Sequence, residues 1–141
     1  MRADLRRFDA RDLNAVADLL NSVLPDTQPH NDARTSLTRK LNHDGLMFVA
    51  EVDGKICGFV MAGYDGHRGW LYQLAVLPDV RRLGIGRALV EQAVSALKQL
   101  GCPKINLQVR ADNTEVVAFY QSLGFTLEHR VSMGMVTETG G

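Results

Sequence analysis

The sequence has no net charge: sixteen lysines and arginines balance sixteen aspartates and glutamates over 141 residues. That balance offers no bulk attraction to nucleic acid or to an anionic membrane. Cysteine is scarce. Cys57 and Cys102 both lie in apolar segments, outside any CxxC or Cys/His metal spacing. They read as buried free thiols of a reducing compartment, and no metal is expected. No apolar run approaches bilayer length, and the opening MRADLRRFDA lacks the apolar core of a secretion signal. A soluble cytoplasmic protein with no membrane or nucleic-acid partner is the expectation. Internal repeats are absent too, and the length fits a single domain, residues 1–141, with a sizeable core.

What is present centres on LAVLPDVRRLGIGRALV, Leu74 to Val90. An apolar run from Trp70 to Leu77 has the composition of a buried strand, and Pro78 ends its regular pairing. Arg81, Arg82, Leu83, Gly84, Ile85 and Gly86 follow, and a periodic helix starts at once. Glycine lets the backbone turn tightly and approach a ligand closely. A helix starting there points its unpaired N–H groups and positive dipole end into the turn, which suits a phosphate or pyrophosphate. The missing residues narrow the choice. No Gly-Lys-Ser/Thr follows, which excludes a Walker loop, and the third glycine of a dinucleotide fingerprint is lacking. The pattern left is [Q/R]xxGx[G/A], formed by Arg81, Gly84 and Gly86. By itself it is also compatible with a plain strand-to-helix connection.

Around this stretch the spacing predicts a first strand at Leu5–Phe8, then a helix capped by Asp9 and ending near Asn21. The polar loop Pro25–Ala33 leads to a second helix over Asp32–Leu41. Strands at Leu46–Val52 and Lys55–Tyr64 flank Asp53-Gly54, a strong hairpin signal, and DGHRG turns the chain into Trp70–Leu77. The helix over Gly84–Leu100 ends at Gly101, and Lys104–Arg110 alternates as a strand. Asn113 or Asp112 caps a last helix through Leu123. Phe125–Glu128 and Val131–Val136 then read as a closing strand pair with Met133 and Met135 facing inward. The order is βααβββαβαββ, an α/β mixed sheet flanked by helices.

A second motif lies downstream: VRADNTEVVAFYQSLGF, Val109 to Phe125, with Asn113 at the cap, Tyr120 seven residues on, and an SLGF ending. Together the two motifs resemble the GCN5-related N-acetyltransferase (GNAT) family over essentially the whole chain. YDGHRG at Tyr64–Gly69 and GCPKI at Gly101–Ile105 resemble most its bacterial YpeA-type members. The resemblance implies acetyl-CoA as co-substrate, bound where the fourth and fifth strands splay apart. Backbone groups of Leu74, Ala75 and Val76 would pair with the pantetheine arm. Those of Arg82, Leu83, Gly84, Ile85, Gly86 and Arg87 would hold the pyrophosphate, with Arg81 completing the motif and Asn113 touching the coenzyme arm. Tyr120 would protonate the departing thiolate as general acid.

The same resemblance leaves the base open. Ribosomal-protein alanine acetyltransferases carry a glutamate where Gln108 stands, and histone-type members carry one where Trp70 stands. Neither residue takes a proton at neutral pH. A water chain, a residue elsewhere, or an amine arriving neutral are the alternatives. His67 has a suitable ordinary pKa but reads as a turn residue, and His30 and His43 read as surface residues. The implied reaction is direct attack of a primary amine, from a small molecule or a peptide, in a ternary complex, with a homodimer allowed. Asp26, Asp32 and Glu128 are the carboxylates placed to receive a cationic acceptor. The competing functions are a coenzyme A-binding sensor without turnover and a transferase for protein N-termini or lysines.

Overall fold

The computed structural model describes residues 2–138. Five strands lie in chain order across one sheet: β1 Asp4–Arg7, β2 Met47–Val52, β3 Lys55–Tyr64, β4 Gly69–Val76 and β5 Ile105–Leu107. The first four pair antiparallel, while β4 and β5 pair parallel. Helices α1 Leu13–Val23 and α2 Ala33–His43 separate β1 from β2. Helix α3 Ile85–Gln99 connects β4 to β5, and α4 Thr114–Ser122 follows β5.

The period-2 alternation of the strands divides the core into two apolar layers. Met47 and Val49 of β2 join Phe59 and Ala75 under Val16, Leu20 and Leu37 of α1 and α2. Phe48 and Ala50, one step out of phase, join Val60, Leu71 and Val76 under Ile85, Leu89, Ala93 and Leu97 of α3. The stripe Ile85, Leu89, Ala93 and Leu97 of α3 is therefore covered, as its spacing predicts, while Leu100 just past the helix end is exposed.

Helix starts follow their sequence signals. Asp9 caps a 3₁₀ turn at Ala10–Asp12 through a capping box, and that turn runs into α1. Asp32 caps α2 by accepting from Thr35 N–H, and Asn113 caps α4 by accepting from Val116 N–H. Asp12 is the buried acid among the described residues, and Arg6 of β1 grips it with two hydrogen bonds of 2.8 Å. Those bonds hold the Asp12 carboxyl below its ordinary pKa, against the opposing effect of burial.

Three expectations change. Residues 125–138 enter no ladder, so the closing pair Phe125–Glu128 and Val131–Val136 does not form regular strands among the described residues. Met133 and Met135 accordingly face solvent rather than the interior. Both cysteines are free, but only Cys57 is buried; Cys102 is half-exposed. The tail residues Thr139, Gly140 and Gly141 lie outside the described residues.

Candidate active site

Strand β4 pairs with β5 only through Gly69, Trp70 and Leu71, opposite Ile105, Asn106 and Leu107. Beyond Leu71, β4 continues for five residues to Val76 with no strand on that side, so the two strands part as expected. A bulge in β4 sits at the point of divergence. Met61 faces Gln73 and Ala62 faces Leu71, which leaves Tyr72 as the extra residue. Bulges re-aim side chains beside functional sites. Here Tyr72 turns over Gly63 and toward Lys40, whose ammonium lies 5.9 Å from the ring centre. Next to it, Gln73 Oε1 is the one buried side-chain oxygen or nitrogen among the described residues without a partner.

After Val76 the chain makes a 3₁₀ turn over Pro78–Leu83, and Gly84 follows in the left-handed region at φ 75°. A side chain there would meet no protein atom within 4 Å of its Cβ, so the space before the helix is open. Helix α3 then begins with no side-chain cap. Its first intrahelical bond runs from Ala88 N–H to the Gly84 carbonyl, which leaves the donors of Ile85, Gly86 and Arg87 without helical partners. The glycine pair therefore divides its work. Gly84 makes the turn and fronts open space, whereas a Cβ on Gly86 would contact Phe119 and Val76 at 3.5 and 3.8 Å. Gly86 seats the first turn of α3 against α4. The arginines differ as well: Arg81 folds back so that its Nε donates to the Val76 carbonyl at 3.1 Å. Arg87 pairs with Glu91 one turn along, and Arg82 is exposed.

Tyr120 belongs to the apolar cluster that contains Leu71, Val76 and Ile85. Its ring stands edge-on between Phe119 and Phe125, at 5.1 and 5.6 Å. The residue is 9% exposed, and its pKa is pushed up to about 12 by burial. No hydrogen bond contributes to that shift. Its proton stays in place at neutral pH.

The other expected residues hold local positions. Gln108 Nε2 donates to Ser132 Oγ at 2.5 Å, and Trp70 is half-buried in the paired part of β4. His67 sits exposed in the turn before β4, where the N–H groups of His67 and Arg68 both reach Asp65 Oδ1 at 2.8 Å. Asp26 closes its own loop by accepting from Gln28 N–H and Asn31 Nδ2. Asp32 caps α2, and Glu128 pairs with Lys104 at 2.6 Å. The structure thus brings together the β4 edge, the α3 start and Tyr120, while Asp26, Asp32 and Glu128 first serve their neighbours. Sequence reasoning missed the Tyr72 bulge and the orphaned Gln73. The available signal was a lone amide inside an apolar strand.

A splayed parallel strand pair, an uncapped helix start and a buried tyrosine meet at this cleft. A sequence model described as the acetyltransferase (GNAT) family matches residues 13–125. The chain belongs to that family and is an N-acetyltransferase. An acetyltransferase of Pectobacterium atrosepticum is 43% identical over 132 residues, 93% of each chain. One from Sodalis glossinidius is 48% identical over 105 residues, 74% of each. Among solved structures, the aminoglycoside N-acetyltransferase AAC(6')-Iy in complex with CoA superposes with a TM-score of 0.82 at 22% identity, covering 96% of this chain and 95% of that one. The ribosomal-protein-S18-alanine N-acetyltransferase of Escherichia coli gives 0.79 at 26% identity, over 91% and 80%. Among the described residues, no helix is long and apolar enough to cross a membrane.

Proposed function

We propose that the protein transfers an acetyl group from acetyl-CoA to a primary amine by direct attack within a ternary complex. The observation that carries this reading is the open, uncapped start of α3 at the end of the unpaired β4 edge. The helix donors and their dipole end suit a pyrophosphate, and the strand edge suits the amides of a pantetheine arm. Of the family residues, Gly84, Ile85, Gly86 and Arg87 supply backbone donors, with Arg82 and Leu83 in the turn ahead of them. Leu74, Ala75 and Val76 supply the edge. Arg81 braces the turn through Val76, and Asn113 keeps its amide nitrogen available to the coenzyme arm while its oxygen caps α4.

When bound, acetyl-CoA supplies a thioester whose C–S bond breaks as the amine nitrogen bonds to the acyl carbon. Tyr120 faces the proton requirement of the departing sulfur. A group with a pKa of about 12 is a weaker acid than an alkyl thiol, which titrates near ~8.5. Tyr120 therefore acts through a hydrogen bond that strengthens as negative charge develops on sulfur. Neither Gln108 nor Trp70 takes the ammonium proton, which passes to solvent before attack; the second proton that nitrogen loses as the amide forms balances the departing thiolate, which leaves as the thiol. On this reading kcat/KM rises with unit slope up to the acceptor amine's own pKa. A plateau beginning near pH 6–7 contradicts it by revealing a protein base.

The acceptor is read as a cationic amine attracted by the charge of Asp26, Asp32 and Glu128. Replacing them with Asn, Asn and Gln removes the charge while keeping the α2 cap at position 32 and one of the two acceptors at position 26. The variant should raise the acceptor's KM and leave acetyl-CoA affinity unchanged; a parental KM places the acceptor elsewhere. Thiol release from acetyl-CoA, followed over a panel of small amines and peptides, tests the function itself. Binding without release for any amine identifies a coenzyme sensor instead.

A further inference from the structure

Strand β4 departs from simple alternation at its bulge, and the departure gathers two side chains on one face of the sheet. Facing residues of an antiparallel pair share a face. Leu71 and its partner Ala62 belong to the layer under α3, while Met61 and Ala75 belong to the layer under α1 and α2. Gln73 faces Met61 and so lies on the α1–α2 side. Tyr72, the extra residue of the bulge, folds to the same side, over Gly63 and toward Lys40 of α2. In an unbroken strand these neighbours would point to opposite faces.

Packing alone accounts poorly for this corner. Gly63 lies inside β3, where a glycine weakens pairing and marks a close approach. What approaches is the phenol. A Cβ on Gly63 would stand 3.0 Å from a Tyr72 ring carbon and 3.3 Å from both the Tyr72 hydroxyl and Lys40 Nζ. Gln73 Oε1 is buried without a partner, which is unfavourable until a donor reaches it. Yet Tyr72 remains 55% exposed, so much of the ring is open. Lys40 does not occupy that surface: its side chain is 12% exposed and its ammonium pairs with Asp44 at 2.8 Å. A fixed ring with open carbon surface, beside an amide oxygen lacking a donor, suits a ligand with an N–H and an apolar frame.

We propose, on the acetyl-transfer reading above, that Tyr72 and Gln73 hold the acceptor, a primary amine on a flat apolar carbon frame. A coenzyme with its phosphates at the start of α3 lays its arm back along the β4 edge, past Val76, Ala75 and Leu74. The strand steps from Val76 to Tyr72 cover ~13 Å and end at the bulge. Tyr120 belongs to the layer under α3, whereas Tyr72 and Gln73 lie on the other face. The thioester then sits between them, its sulfur toward Tyr120 and the attacking nitrogen toward Gln73. The last torsion of a glutamine side chain is soft, so the amide turns its oxygen to the arriving N–H. The Tyr72 ring carries the frame. Asp26, Asp32 and Glu128 attract the charged amine, and this pair seats it once neutral.

Calorimetry with two conjugates tests the seat without turnover. In each, the coenzyme A sulfur is joined through –CH2–C(O)– to an amine nitrogen, that of phenethylamine in one and of ethylamine in the other. Parental protein should bind the phenethyl conjugate at least about 10-fold more tightly than the ethyl conjugate. Y72A should remove that preference. So should G63A, which keeps the tyrosine but displaces its ring. Neither should alter affinity for coenzyme A itself. Q73M keeps the length of the side chain and deletes the amide. It should weaken both conjugates about 10-fold, leave coenzyme A unchanged, and raise the melting temperature because the unpartnered oxygen is gone. A fall in melting temperature marks Gln73 as structural and removes it from the seat. Equal binding of the two conjugates by parental protein overturns the proposal, as does a parental preference in folded Y72A. If Y72A does not fold, G63A and the parental comparison decide. A parental protein that binds neither coenzyme A nor either conjugate overturns the acetyl-transfer reading, and the seat with it.

Discussion

The α2 side and the cleft side of the molecule treat their polar groups in opposite ways. At α2, Asp32 takes the Thr35 N–H and hydroxyl, while Lys40 closes on Asp44 at 2.8 Å. Asp9 and Asp12 complete a reciprocal box before α1. At the cleft, α3 starts without a side-chain cap, β4 runs five residues with no strand on the β5 side, and no hydrogen bond to the Tyr120 hydroxyl is formed among the described residues. Buried or half-buried polar groups are normally paired, and leaving them open costs stability unless something else binds them. The open set lies where a phosphate-bearing acyl carrier would complete it. That contrast separates the groups that hold the fold from those that act.

Substitutions should divide the same way. Y120F keeps the aromatic stack and removes only the open hydroxyl. Steady-state kinetics should show turnover falling about 10²–10⁴-fold with acetyl-CoA affinity little changed. Unchanged turnover would return Tyr120 to packing alone. On the closed side, D12N removes the buried carboxylate that Arg6 holds, leaving Glu51 as its close ionic partner, and should cost about 1–3 kcal/mol in denaturant unfolding, with cofactor affinity intact. The pH dependence follows from the lowered folded-state pKa of Asp12. Its stabilisation is fully present above the ordinary aspartate value of about 3.9 and is lost as pH falls through the lower native value. D12N should flatten that acid limb. The smallest effect is expected from D32A, about 1 kcal/mol of stability and no change in acetyl-CoA binding. A loss of affinity there would erase the distinction between the two sides.

The cleft was largely legible in the sequence because its signals are local. Arg81, Gly84 and Gly86 follow a strand that Pro78 ends, and Asn113 precedes a helix with Tyr120 on its apolar stripe. The tail was not legible, because a strand needs a partner as well as a pattern. Val131, Met133 and Met135 alternate as a buried strand should, yet no strand of the described residues pairs with them and all three are exposed. The Tyr72 bulge depends on how β4 registers against β3, and the Arg6–Asp12 pair joins β1 to the turn before α1. Neither leaves a periodic trace. Gly86 has a second role that its spacing does not carry: a Cβ there would point toward Phe119, so the missing side chain also lets α3 sit against α4.

The central claim is that the open start of α3 holds a pyrophosphate, and a calorimetric cycle on one residue tests it most directly. Acetyl-CoA and S-acetylpantetheine share the thioester arm, but only the first carries the pyrophosphate. Gly84→Glu places a carboxylate into the open space before the helix. The left-handed backbone there costs about 1–2 kcal/mol for a residue with a Cβ, and circular dichroism should confirm that the protein folds. Parental protein should bind acetyl-CoA at least about 100-fold more tightly than S-acetylpantetheine, a difference of about 2.7 kcal/mol. Gly84→Glu should remove that preference and leave the weak affinity for S-acetylpantetheine nearly unchanged. A folded Gly84→Glu protein that still prefers acetyl-CoA by the parental factor contradicts the account.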